Sequence, residues 1–419
     1  MSLPAPTVKV FIAGASYAGL SAALNLLDLG SGLNPRLTKG APYAHHHDLP
    51  TVNFQITLVD ERDGFLHLIG CPLALADADY AKKCWVKFHD IPSLQHPNVT
   101  VLQGTVTSVS PATKTATVTS PVTGEITTHG YDYLVAATGL RRAWPVVPQS
   151  LHRKQYLLEA EEHIHAVLNA RHPVLVVGGG AVGIEMASEI CVVKPGAHVT
   201  LAHSRDQLLS AENLPDDTKD RALECLRGEG VDVLMNHRLA KSEKRVDDDG
   251  TTEYDVEFTN GHKMVASVVI MAISHSTPTV GYLPKEAINS EGFVDVRPSL
   301  HFPAKDIPNA DDHFCGGDAI QWPGIKRCGG AMWHGYCIAH NIHQQLLAKH
   351  CGHQPKFMEI APIGPVIGLA VGNNAVAHNP GQGTTYGPDV RQVYFRDDLA
   401  FDIIWNYMKL GKAEMAPAA

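Results

Sequence analysis

Three small residues at fixed spacing, Gly14, Ser16 and Gly19, follow the apolar run VKVFIA and lead into an alanine-rich stretch. The pattern returns mid-chain, where Gly178, Gly180 and Gly183 follow HPVLVV. Glycines in a strand-to-helix turn let the backbone approach a pyrophosphate. The helix that follows aims free N–H groups and the positive end of its dipole at the phosphate charge. One such turn arises by chance. Two, each in strand–turn–helix context, imply two nucleotide cofactors in one polypeptide and electron transfer between them.

Charged and polar residues near each turn differentiate the two copies. Ser16 takes the place of the middle glycine, and its hydroxyl can itself donate to phosphate. Asp60 ends the next strand, FQITLVD, where an acid accepts hydrogen bonds from a ribose. It usually follows the glycines by about 20 residues, and here the interval is about twice as long. The second copy has His203-Ser204-Arg205 at the corresponding place, after HVTLA. With no carboxylate to repel it, a 2′-phosphate is accommodated there, with Arg205 or His203 as its partner, which favours NADPH over NADH. Glu185 and Glu189 stand one helical turn apart after the last glycine, with Glu185 placed to project toward a nicotinamide.

The elements that must hold these residues are readable in outline. Residues 8–13 form a strand buried on both faces, and residues 18–29 form the helix after it. The excess before Asp60, SGLNPRLTKGAPYAHHHDLPTVN, reads as a surface insertion. Its His45-His46-His47 run reads as solvated loop histidine, so no metal is expected. VTVLQGTVTSVS and KTATVTSPVTGE read as a small meander, and residues 131–137 as another buried strand ending at Thr138-Gly139. KMVASVVIMAISHSTP supplies a further buried strand and a loop from Ser274 to Thr277 that closes the second unit. In the tail, strands precede an amphipathic helix with Phe401, Ile404, Trp405 and Met408 at helical spacing.

Composition narrows the function classes. With 419 residues there is room for two or three domains, and 44% hydrophobic with 18% charged content marks a folded chain. The net charge of −9 argues against a nucleic-acid groove. No apolar run has membrane-spanning length, and MSLPAP lacks both a signal pattern and a glycine at position two, so the expectation is a cytoplasmic protein without a stable membrane anchor. The eight cysteines, scattered and without C-x-x-C or zinc spacing, give no disulfide framework, and Cys191 and Cys225 read as ordinary buried thiols.

Taken in order, GASYAG, LVD, YDYLVAATG, GGGAVGIEMASE and FCGGD resemble the FAD-dependent pyridine nucleotide–disulfide oxidoreductase superfamily, most closely its fungal apoptosis-inducing-factor-homologous, ferroptosis-suppressor branch. The resemblance covers essentially the whole chain. It implies FAD at the first turn, with Gly14, Ser16, Gly19, Asp60, Thr138, Gly139 and Asp318 as flavin contacts. It implies NAD(P)H at the second, with Gly178, Gly180, Gly183 and Glu185. GIKRCGGAMWHGYCIAHNI is similar to the stretch beside the flavin ring, which puts Lys326 near N1 and O2, where it stabilises charge on the reduced ring. The C-x-x-x-x-C pair of the disulfide reductases is missing. Cys71, in Gly70-Cys71, is the single cysteine in that region, with its order reversed relative to single-cysteine relatives.

The fold expected is therefore α/β: two Rossmann-like, three-layer ββα dinucleotide-binding domains plus a small α+β C-terminal domain. Residues 1–150 and 278–350 would make the FAD domain, 151–277 the NAD(P)H domain, and 351–419 an acceptor or interface domain that allows a homodimer. The function expected is hydride transfer from NAD(P)H to flavin and then electron transfer to a quinone-like small molecule, including as a tailoring step of secondary metabolism. The competing readings are a Cys71-dependent peroxide or disulfide reductase and a redox-sensing scaffold.

Overall fold

The computed structural model describes residues 5–38, 42–247, 249–273, 276–303 and 306–412. Ser274 and His275, half of the loop expected to close the second unit, lie outside the described residues, as do the first four residues of MSLPAP.

In the first strand, Thr7–Ala13, every side chain from Val10 onward is buried, because both faces of the sheet are covered. It is the centre of a five-stranded parallel sheet in the order His313–Cys315, Tyr133–Ala136, Thr7–Ala13, Asn53–Asp60, Val99–Gln103. VTVLQGTVTSVS is thus not a single piece of meander. It divides at Gly104, where a Cβ would overlap the Val118 side chain. Val99–Gln103 joins the parallel sheet, and Thr105–Ser110 opens a three-stranded antiparallel sheet with Thr115–Thr119 and Ile126–Gly130.

The helix Tyr17–Gly30 is buried from Tyr17 through Leu29. One face rests on the sheet and another on the long helix Cys328–Cys351, which returns from far along the chain. Gly335 permits that crossing, since a Cβ there would lie 2.7 Å from Ser21 Cβ and 2.8 Å from the Ala22 nitrogen. Ser21 Oγ donates to the Met332 carbonyl across it at 2.7 Å.

The second parallel sheet runs Asp232–Leu234, Val199–Ala202, Val174–Val177, Val268–Met271. KMVASVVIM, read from sequence as one strand, is two. Lys263–Ala266 pairs antiparallel with Thr252–Phe258, and Val268–Met271 enters the parallel sheet. Ser267 makes the break, its hydroxyl accepting from the backbone N–H groups of Arg171 and His172. Leu175, Val177 and Ala202 pack against Val256, Phe258 and Ala266 of the antiparallel layer, so this unit has the ββα layering expected.

The two crossings between the sheets run side by side: Leu140–Arg142 pairs antiparallel with Ser276–Pro278. The helix Arg153–Leu168 follows the first crossing and leans back on the first unit, with Tyr156 stacked on Trp85 at 5.0 Å. The tail forms a small α+β unit of three antiparallel strands, Ile367–Val371, Asn374–Asn379 and Gly383–Gly387, then helices Pro388–Tyr394 and Phe401–Tyr407. Phe401, Ile404 and Met408 are core residues. Among the described residues no helix is long and apolar enough to cross a membrane.

Candidate functional site

The two glycine turns are built alike. Gly14 has φ +99° and Gly178 φ +127°, conformations that favour glycine. A Cβ at either would overlap the backbone at the end of the neighbouring strand, at Ala137 and Ala272 respectively. A Cβ at Gly19 would overlap the Gly14 carbonyl, and one at Gly183 the Gly178 carbonyl, so each turn and its helix are in backbone contact. At Gly180 a Cβ would meet nothing within 4 Å. Ser16 is the N-cap of the first helix, and its Oγ is buried without a hydrogen-bond partner. An orphaned hydroxyl beside free helix N–H groups is a ready donor set for a phosphate oxygen.

Different side chains brace the turns. Asp60 Oδ2 accepts from the Ala15 N–H at 2.7 Å, and Oδ1 accepts from the Arg62 N–H at 2.9 Å. Burial raises its pKa, while Arg62 and the two backbone donors oppose that rise. A carboxylate offers about four lone-pair sites, so it retains capacity for a further donor. At the second turn His203 Nδ1 accepts from the Gly179 N–H at 3.1 Å and Nε2 meets Ser210 Oγ at 3.0 Å. Both ring nitrogens are engaged inside the chain, and burial lowers the ring's pKa. Arg205 next to it is exposed, with one contact to the Ser210 carbonyl at 3.3 Å.

One cavity gathers Gly14, Ser16, Asp60, Thr138, Gly139 and Asp318 together with Lys326 and Glu185. Gly19 lies behind its wall, and Gly178, Gly180, Gly183, His203 and Arg205 stand at the separate second turn. Thr138 and Thr279 clasp each other: each hydroxyl donates to the other's carbonyl at 2.7 Å, which fixes the crossing strands at the cavity rim. Asp318 sits in the short turn Gly317–Ala319, with Oδ2 3.7 Å from Arg142 Nη2. Lys326 Nζ donates to the carbonyls of Asp318 at 2.7 Å and Ile320 at 2.9 Å, and lies over the Phe293 ring. Burial lowers its pKa against the pull of Asp318.

Glu185 reaches the cavity from the second unit's helix. Burial pushes its pKa up to about 8, and the Ala370 N–H, which its Oε1 accepts at 3.4 Å, opposes the rise. Glu189, one turn on, is buried against Arg391 at 2.8 Å. The wall also carries Arg62, Arg142 and Cys328, which no local sequence pattern singles out. Cys71 is 1% exposed and does not line the cavity, whereas its neighbour Pro72 does.

Known proteins resemble this chain over most of its length. The family model described as pyridine nucleotide-disulphide oxidoreductase matches residues 8–335. The chain is 45% identical to the oxidoreductase OXR1 of Ajellomyces capsulatus, over 96% of this chain and 88% of that protein. It is 24% identical to ferroptosis suppressor protein 1 of Taeniopygia guttata, over 70% of this chain and 74% of the other. Among solved structures, the sulfide:quinone oxidoreductase of Aquifex aeolicus shares the fold, with TM-score 0.68, 17% identity, and 97% and 92% of the two chains covered. From the turns, the shared cavity and these matches together, the chain belongs to the pyridine nucleotide-disulphide oxidoreductase family, the NAD(P)H-dependent oxidoreductases that bind FAD.

Proposed function

We propose that this chain takes electrons from NAD(P)H through FAD and delivers them to a quinone-like small molecule. The observation that carries the reading is the shared cavity, which Glu185 of the second unit enters beside Ser16, Asp318 and Lys326 of the first. Among the described residues lining it, Cys328 is the single thiol, so a dithiol–disulfide relay has no second sulfur on the wall. Cys71 is buried behind it, which disfavours a Cys71-dependent reductase.

The residues present fit FAD: the unpartnered Ser16 hydroxyl and the Gly14–Gly19 turn would hold its pyrophosphate, Asp60 its ribose and Asp318 its ribityl chain. Bound flavin supplies the redox chemistry, accepting a hydride from the nicotinamide and passing electrons to the acceptor. The protein's own part is positioning and electrostatics. The Lys326 ammonium, fixed by two carbonyls, places positive charge on the wall where negative charge develops. Glu185 keeps its proton at neutral pH and presents a carboxyl donor to the nicotinamide side. The Gly178–Gly183 turn takes the second pyrophosphate, His203 braces that turn, and the exposed Arg205 pairs with a 2′-phosphate. A tailoring step of secondary metabolism uses the same machinery with one conjugated metabolite as acceptor. On this reading the protein works in the cytoplasm.

Anaerobic stopped-flow mixing tests the reading: NADPH or NADH bleaches the flavin absorbance within seconds, and a short-chain quinone restores it. Cys71→Ser leaves both steps intact. Arg205→Ala raises the NADPH needed for half-maximal bleaching roughly tenfold, the value of one charge-assisted hydrogen bond, and leaves NADH unchanged. No bleaching by either nucleotide, or loss of turnover in Cys71→Ser, overturns it.

A further inference from the structure

The insertion before the second strand packs beside the far end of the helix Cys328–Cys351, and the two meet through histidines. The His46 ring lies 4.3 Å from that of His47 and 4.1 Å from that of His353, just past the helix end. Asp48 Oδ1 is 3.3 Å from His47 Nε2, and its Oδ2 is 3.8 Å from His46 Nδ1. One ligand atom from each of His46, His47 and Asp48 lies within 4.8 Å of the others. Deeper in the same seam, His45 Nδ1 and His343 Nε2 are buried without partners, in rings 5.6 Å apart. At the exposed cluster itself, His46 Nδ1 accepts from the Asp48 N–H at 3.1 Å, which leaves Nε2 as the nitrogen it can offer an ion.

We propose that His46, His47 and Asp48 form the core of a structural site for a zinc-class divalent cation, and that His353, whose ring lies 4.1 Å from that of His46 and which must rotate its side chain to reach the ion, completes it and clips the insertion to the end of the long helix. Three imidazoles and one carboxylate are a tetrahedral zinc donor set, and imidazole also suits copper and nickel. The His47 and Asp48 side chains are 83% and 65% exposed, so they can close on an ion without breaking packed contacts. Three donors come from one turn and the fourth from a segment about 300 residues away in sequence, so the ion would close a very long loop. The 24-residue helix separates this site from Cys328 at the cavity by roughly 35 Å, which makes the role structural.

The test uses untagged, flavin-loaded protein stripped of metal, titrated with zinc sulfate by calorimetry and by thermal unfolding. The expected result is one equivalent bound and a Tm raised by several degrees. His46→Ala and His353→Ala each weaken binding about tenfold or more. His237→Ala, which removes one ring of the His237–His262 pair elsewhere in the chain, leaves the titration unchanged. The rate of flavin bleaching by NAD(P)H stays the same with and without zinc. No stoichiometric binding, binding indifferent to both His46→Ala and His353→Ala, or binding lost only in His343→Ala overturns the assignment.

Discussion

Glu185 is a carboxyl whose surroundings keep it neutral. Its pKa in the fold is about 8 against an ordinary 4.5, with burial as the main cause. Between those two values the unfolded chain loses the proton and the folded chain keeps it. Folding therefore binds protons in that window, and stability falls as pH rises through it. Glu185→Gln removes this contribution, so its Tm should decline less than wild type from pH 5 to pH 8; parallel Tm–pH curves would count against the assignment. The residue was legible in the sequence because it stands two residues past the last glycine of a motif. Its environment was not, since Ala370 and Arg391 arrive from a distant part of the chain. The same holds for Arg142 and Cys328, which reach the cavity by chain crossing and not by motif. His203 follows the pattern of Glu185: its place after the strand was readable, but its engagement with Gly179 and Ser210 depends on the turn's three-dimensional path.

Among the elements, the crossing of Tyr17–Gly30 over Cys328–Cys351 separates two opposed effects at Gly335. Helix propensity alone favours Gly335→Ala by about 1 kcal/mol. Contact opposes it, because the added Cβ would sit against the backbone of Ala18 and Ala22. Overpacking costs about 1–3 kcal/mol, so the variant should be destabilised in a denaturant titration, and a stabilised variant would mean that the helices separate at no cost. The paired strand–turn–helix units were legible because their buried strands are short apolar runs and their helices are rich in alanine. The runs that divide at Gly104 and Ser267 were not, because one small residue inside a β-rich run, even a glycine, marks a bulge as readily as a change of sheet. What divides them is a contact with Val118 in one case and hydrogen bonds from Arg171 and His172 in the other.

For the whole molecule, the tail joins the parts. Arg391 pairs with the buried Glu189 of the second unit, Leu399 meets His67 of the first, and the Met408 carbonyl accepts from Arg36. Arg391→Met strands the Glu189 carboxylate, whose Oε2 already has no partner, and should cost about 3–5 kcal/mol in chemical denaturation. Replacing both residues by leucine should recover most of that loss, and a single variant within experimental error of wild type would show the pair to be dispensable. The first sheet has a consequence for synthesis. Four of its strands end by Ala136, while the fifth is His313–Cys315 and the helix that covers its turn is Cys328–Cys351. The second sheet lies wholly between, in residues 174–271. At about 5–20 residues per second, a ribosome takes roughly 9–35 s to make the intervening stretch. Of the two parallel sheets, the one begun first is therefore the one completed second, and through that interval its apolar edge waits for a strand and a helix that do not yet exist, a window in which a chaperone has something to hold.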